Sequence, residues 1–182
     1  MALPTLSGDV TVLLEEEKIQ ARVAEMGAEI TRDYQGQGLT LVVILKGSFV
    51  FASDLARHID LPLAMDFIGL SSYGSATESS GVVRITQDLS RPIEGRHLLV
   101  VEDIIDTGLT MKYLLENLQS RHPASIRIAS LLEKPARNQH AVDIDYRGFE
   151  IPDAFVVGYG LDFDERYRNL PFLGVLREEA RD

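Results

Sequence analysis

The stretch 98–110, LLVVEDIIDTGLT, concentrates the residues best able to do chemistry. A nearly all-apolar run ends in two acids, Glu102 and Asp103, and Asp106-Thr107-Gly108-Leu109-Thr110 follows. Adjoining carboxylates can hold sugar hydroxyls or a divalent cation. Glycine permits close backbone approach, threonine hydroxyls donate, and free N–H groups at a helix start favour an anion. Acids for hydroxyls or a metal, beside an N–H nest for phosphate, suit a phosphorylated sugar. For an isolated pair of acids a plainer explanation is stronger: a solvated strand end, with Asp106 or Thr107 as a helix N-cap. The full pattern is far more specific than the pair.

Those residues need elements to position them. Residues 96–101 read as a strand buried on both faces, which delivers the acids to its C-terminal end. Open α/β sheets bind ligands there. Adjacent strand residues face opposite ways, so both acids can serve one ligand only where the strand gives way to a loop. Residues 107–118 read as the following helix. Upstream, 11–34 reads as a helix with Ile19, Val23, Met26 and Ile30 on one stripe. Strands are expected at 39–45, 63–70, 82–87 and 125–132, with short late ones at 155–157 and 172–176. A helix is expected at 49–58. The Ser- and Gly-rich 71–81 reads as a mobile loop. Strands alternating with helices predict an α/β fold with a mostly parallel sheet.

Length and composition bound the function. The 182 residues predict a single domain, 1–182, and 45% hydrophobic content is ordinary for a globular chain. Lys and Arg total 18 against 28 Asp and Glu, a net charge of −10. That balance argues against nucleic-acid or anionic-membrane partners but not against a small phosphorylated ligand. Cysteine is absent, which excludes disulfides, thiolate metal sites and cysteine nucleophiles. No secretory signal or membrane-length apolar run is seen, so the expected compartment is the cytoplasm.

VVEDIIDTGLT resembles the phosphoribosyl-pyrophosphate motif of the type I phosphoribosyltransferases. Its EDIIDTG core is similar to the hypoxanthine-guanine members. LKGS at 45–48, SSYG at 71–74, LLEK at 131–134 and IPDAFVVGYGLDFDERYRNLP at 151–171 extend the resemblance over most of the chain. It implies transfer of a phosphoribosyl group to a 6-oxopurine, with release of pyrophosphate. It also implies a small hood over the purine, built partly from the terminal segments, and a homodimer or homotetramer.

Residue roles follow from the same resemblance. Asp106 matches the acid/base position near the purine N7, where a carboxylate can manage a proton. Glu102 and Asp103 match the ribose-hydroxyl and Mg²⁺ positions. Asp106, Thr107, Gly108, Leu109 and Thr110 match the 5′-phosphate loop, with Leu109 contributing its N–H only. Lys46-Gly47 and Arg168 match pyrophosphate ligands, and a cis peptide often precedes that Lys. Lys134 matches the donor to the purine 6-oxo group, since an ammonium only donates. Phe155 matches the aromatic that stacks on the base, Val156 a backbone contact, and Asp162 a position near a second Mg²⁺ and the purine 2-position. Asp164 and Glu165 are expected to be solvated. Ser72 and Tyr73 match a flexible loop that closes over the site and excludes water. A polyanionic substrate among these acids implies Mg²⁺ as cofactor.

Each role has a bland counterpart: a surface Lys46 in a turn, an Arg168 in a charged tail, a Phe155 in the core, an ordinary surface loop at 71–81. Two rival functions share the expected sheet. A regulator reusing the motif would need a basic face or an added domain, which a charge of −10 opposes. Enzymes of other α/β classes carry glycine or serine fingerprints that the chain lacks. Orotate- or adenine-specific transferases are nearer, but FVVGYGLDF favours 6-oxopurines.

Overall fold

A computed structural model describes residues 10–73 and 82–177. Among them, six strands form one sheet and three a smaller one. The large sheet has the order β4-β3-β2-β5-β6-β7, from Val82–Gln87, Leu63–Tyr73, Leu39–Leu45, His97–Ile105, Ser125–Glu133 and Tyr146–Glu150. All its pairings are parallel except β3 with β4, at one edge. Helices α1 (Glu16–Asp33), α2 (Phe49–Arg57) and α3 (Leu109–Gln119) complete the α/β fold. None of them is long and apolar enough to cross a membrane.

Strand β2 shows why the sheet is apolar on both faces. Leu41 and Val43 pack with residues of α1 and α2, whereas Val42 and Ile44 pack with Met111, Leu114 and Leu118 of α3. Alternating side chains therefore feed two cores, the condition that produces an unbroken apolar strand. The expected stripe of α1, Ile19, Val23, Met26 and Ile30, is fully buried.

Several elements differ from the sequence expectation. Residues 10–14 are a strand, β1, instead of the first turns of a helix. Val-Thr-Val suits a pleated edge, and β1 pairs antiparallel with β9 (Leu173–Leu176). Helix α1 then begins with Glu16 and Glu17 in its first turn, where acids complement the helix dipole. Strand β3 runs on to Tyr73, into the expected loop, because β4 pairs back onto it. Strand β5 runs past Val101 to Ile105, because β6 continues beside it as far as Glu133. Strand β7 has no counterpart in the sequence reading, since YRGFE lacks an apolar alternation.

The small sheet has the order β1-β9-β8, with β8 at Val156–Val157. It joins strands from both ends of the described chain.

Candidate active site

Three parallel strands end together and present three short segments. After β2 comes Lys46-Gly47-Ser48, and the Leu45–Lys46 peptide is cis, as the family resemblance implies. The last residues of β5 carry Glu102 and Asp103, and Lys134 follows β6 directly.

The acids meet without any break in their strand, contrary to the requirement that β5 give way to a loop. Ser48 resolves the geometry. Its buried hydroxyl donates to Glu102 Oε1 at 3.0 Å and accepts from the Asp103 N–H at 2.9 Å. A Cβ on Gly47 would lie 1.7 Å from Asp103 Oδ2, so any other residue there would displace that carboxylate. Burial, then repulsion from Asp103, pushes the Glu102 carboxyl well above the usual carboxylate range. Burial also raises Asp103, while its hydrogen bonds and Arg168 pull it back. Asp103 is only partly covered, so solvent in the cavity moderates its shift.

The segment after β5 turns sharply into α3. Gly108 has φ +80°, and a Cβ there would lie 2.3 Å from the His140 carbonyl oxygen. Both facts demand glycine. The N–H groups of Gln139 and His140 donate to the Thr107 carbonyl at 3.2 and 3.1 Å, pinning the turn from outside. Helix α3 starts at Leu109, two residues later than expected, because Thr107 is held in this turn. A small cavity of about 190 Å³ is lined by Glu102, Asp103, Asp106, Thr107, Gly108 and Thr110, among others. Leu109 stays out of that lining, and its N–H donates to Thr107 Oγ1 at 3.4 Å.

A larger cavity, about 730 Å³, adjoins it through Asp103 and Asp106. It brings together Lys46, Gly47, Asp103, Asp106, Lys134, Phe155, Val156, Asp162 and Arg168 from widely separated stretches. Lys134 is nearly buried, with its Nζ 3.6 Å from Asp153 Oδ1. Phe155 is 45% exposed and meets Phe163 edge to face with centroids 5.8 Å apart. Val156 is buried at the start of β8. Arg168 pairs with Asp162 at 2.9 Å and donates to the Gly160 carbonyl at 2.8 Å.

The sequence reading missed several participants. Ser48 joins the two acids. Arg137 Nε lies 2.9 Å from Asp106 Oδ1, and Arg137 Nη1 lies 3.5 Å from Asp153. Pro135 gave a local signal, since it opens the 3-10 turn that carries Arg137. Glu165, expected to be solvated, is exposed yet ion-paired to both Lys46 and Arg168. Asp164 is exposed as expected. Residues 74–81 of the expected lid, and the side chains of Ser72 and Tyr73, lie outside the described residues.

The family model for the phosphoribosyl transferase domain matches residues 9–164. The chain is 56% identical to a hypoxanthine-guanine phosphoribosyltransferase of Mycobacterium avium, over 93% of this chain and 87% of that protein. It belongs to the hypoxanthine-guanine phosphoribosyltransferase family. A Bacillus subtilis member is 52% identical over 91% of this chain and 92% of its own. The crystal structure of a hypoxanthine phosphoribosyltransferase from Staphylococcus aureus superposes with a TM-score of 0.94 at 48% identity, covering 100% of both chains. Both sheets and the crevice at the strand ends are therefore those of a phosphoribosyltransferase.

Proposed function

We propose that the chain transfers the 5-phosphoribosyl group of phosphoribosyl pyrophosphate to hypoxanthine or guanine, giving IMP or GMP and pyrophosphate. One observation carries this reading. A small cavity lined by the acids, the left-handed Gly108 and the start of α3 adjoins a larger one holding a buried ammonium and an exposed aromatic ring. The relatives' names support the same reaction.

In this reading the turn 106–110 holds the 5′-phosphate through N–H groups and the Thr107 and Thr110 hydroxyls. Glu102 and Asp103 hold the ribose hydroxyls, fixed by Ser48. Phe155 covers one face of the purine, Val156 offers backbone contacts, and Lys134 donates to O6. Adenine carries an amino group there, so an ammonium has nothing to accept it. Asp106 manages the N7 proton as N9 attacks C1′, and Arg137 keeps its carboxylate in place. Lys46, Gly47 and Arg168 receive the leaving pyrophosphate, while Ser72 and Tyr73 belong to the lid.

Mg²⁺ suits this set of donors. Among the described residues no cluster of three or more His, Cys, Asp or Glu could cage a metal. Asp103, beside Glu102, shares the larger cavity with Asp162, and carboxylates so placed match an ion that keeps waters and takes substrate phosphate oxygens. Glu102, Asp103 and Asp162 would hold it. Bound there, it would neutralise the charge that develops on the leaving group.

We also propose one domain over 1–182 with the small sheet as its hood, a homodimeric or homotetrameric assembly, and a cytoplasmic setting. The test is turnover with Mg²⁺ and each base separately. Hypoxanthine or guanine should react and adenine should not, and excess chelator should abolish turnover. Equal rates with adenine, or full rates in chelator, would refute the reading.

A further inference from the structure

The two cations expected to bind pyrophosphate already hold an anion. Glu165 Oε1 lies 3.0 Å from Lys46 Nζ, and its Oε2 lies 3.3 Å from Arg168 Nη2. One carboxylate thus spans side chains from two loops that are 122 residues apart in sequence (168 − 46). Glu165 (φ +61°) and Asp164 (φ +51°) are the two central residues of a tight turn bridged by Phe163 and Arg166. The Glu165 N–H donates to Asp162 Oδ2 at 2.9 Å, which fixes the turn. Lys46, Asp162, Glu165 and Arg168 line the main cavity.

We propose that Glu165 is an internal stand-in for pyrophosphate, competing with it for Lys46 and Arg168. The proposal rests on the phosphoribosyl-transfer reading of the site. A pyrophosphate oxygen that bridges Lys46 and Arg168 competes with the carboxylate for the same donors and the same space between them, so full binding displaces Glu165. Leaving pyrophosphate is met by the reverse exchange. As it departs, the carboxylate returns to Lys46 and rejoins Asp162 on Arg168. Contact with Lys46, then with Arg168, holds the Glu165 carboxyl below its usual range, so it stays ionised for this purpose. Its side chain is 64% exposed, so each ion pair is weak and the exchange is easy.

The test is calorimetric titration of magnesium pyrophosphate into three full-length proteins: the parent, Glu165→Gln and Asp164→Asn. Asp164 is the control. It carries the same charge one residue away, but its partner is Arg166 at 3.8 Å, outside the cavity lining. Two weak pairs removed should tighten pyrophosphate roughly 3- to 10-fold in Glu165→Gln. Asp164→Asn should change it by less than about 2-fold, through long-range charge alone. A gain in affinity cannot come from a damaged fold. Equal effects in the two variants, or no gain in Glu165→Gln, would overturn the proposal. Turnover of the parent with hypoxanthine is assayed separately. Its absence alongside a selective gain in pyrophosphate affinity would refute the purine reading and leave the competition standing.

Discussion

Around Thr107 and Gly108 the site is made of backbone, whereas around Lys46, Arg137 and Arg168 it is made of long charged side chains. In the first region the contacts are a left-handed glycine, the Leu109 N–H on the Thr107 hydroxyl, and the Thr107 carbonyl pinned by the N–H groups of Gln139 and His140. In the second, ion pairs join segments far apart in sequence and leave most partners partly exposed. Backbone sites are rigid and cannot be retuned without moving a helix. Side-chain sites can exchange partners at little cost, because exposed pairs are individually weak. The contrast fits the chemistry proposed for each. One region would hold the part of the substrate that stays, and the other would handle the purine and pyrophosphate that come and go.

Substitutions can break or sharpen that contrast. Asp106, which borders both cavities, should show the largest effect: Asp106→Asn should lower kcat by about 10²- to 10⁴-fold, measured at saturating substrates. Near-normal turnover would remove it from acid/base chemistry. Next comes the backbone region. Gly108→Ala puts a Cβ against the His140 carbonyl at positive φ, so the strain should cost about 1–3 kcal/mol. The KM for phosphoribosyl pyrophosphate should rise at least about 10-fold, with the purine KM nearly unchanged. Lys134→Gln should do the opposite. Loss of a charge-assisted hydrogen bond should raise the purine KM by about 10-fold, leaving the KM for phosphoribosyl pyrophosphate nearly unchanged. If either variant moved both constants together, the two regions would not be separable.

The smallest effect concerns stability. The folded-state pKa of Glu102 is raised, so the native protein binds a proton that the unfolded chain has already lost. Stability therefore falls as pH rises from the unfolded carboxylate pKa towards the raised value. Glu102→Gln removes that penalty. By thermal melts it should gain roughly 3 °C at pH 8 and much less at pH 4. A gain that is the same at both pH values would contradict the burial argument.

The contrast also explains what the sequence revealed. The parallel sheet, the α1 stripe and the 102–110 motif were legible because each is a local pattern of apolar spacing or contiguous chemistry. The extension of β5 through Glu102 was not, because it depends on the length of its neighbour β6. Strand β1 was absorbed into a helix because its partner, β9, lies at the other end of the chain. Glu165 read as a solvated acid and Arg137 carried no expectation, since nothing local shows which distant acid or cation they meet. The roles of Lys46, Lys134 and Arg168 came only from family resemblance, for the same reason.

The most direct test of the central claim follows pyrophosphate release from phosphoribosyl pyrophosphate with Mg²⁺, with and without hypoxanthine. Release should require the base and should match IMP formed one for one. Release without base at a comparable rate, or none in its presence, would contradict the account.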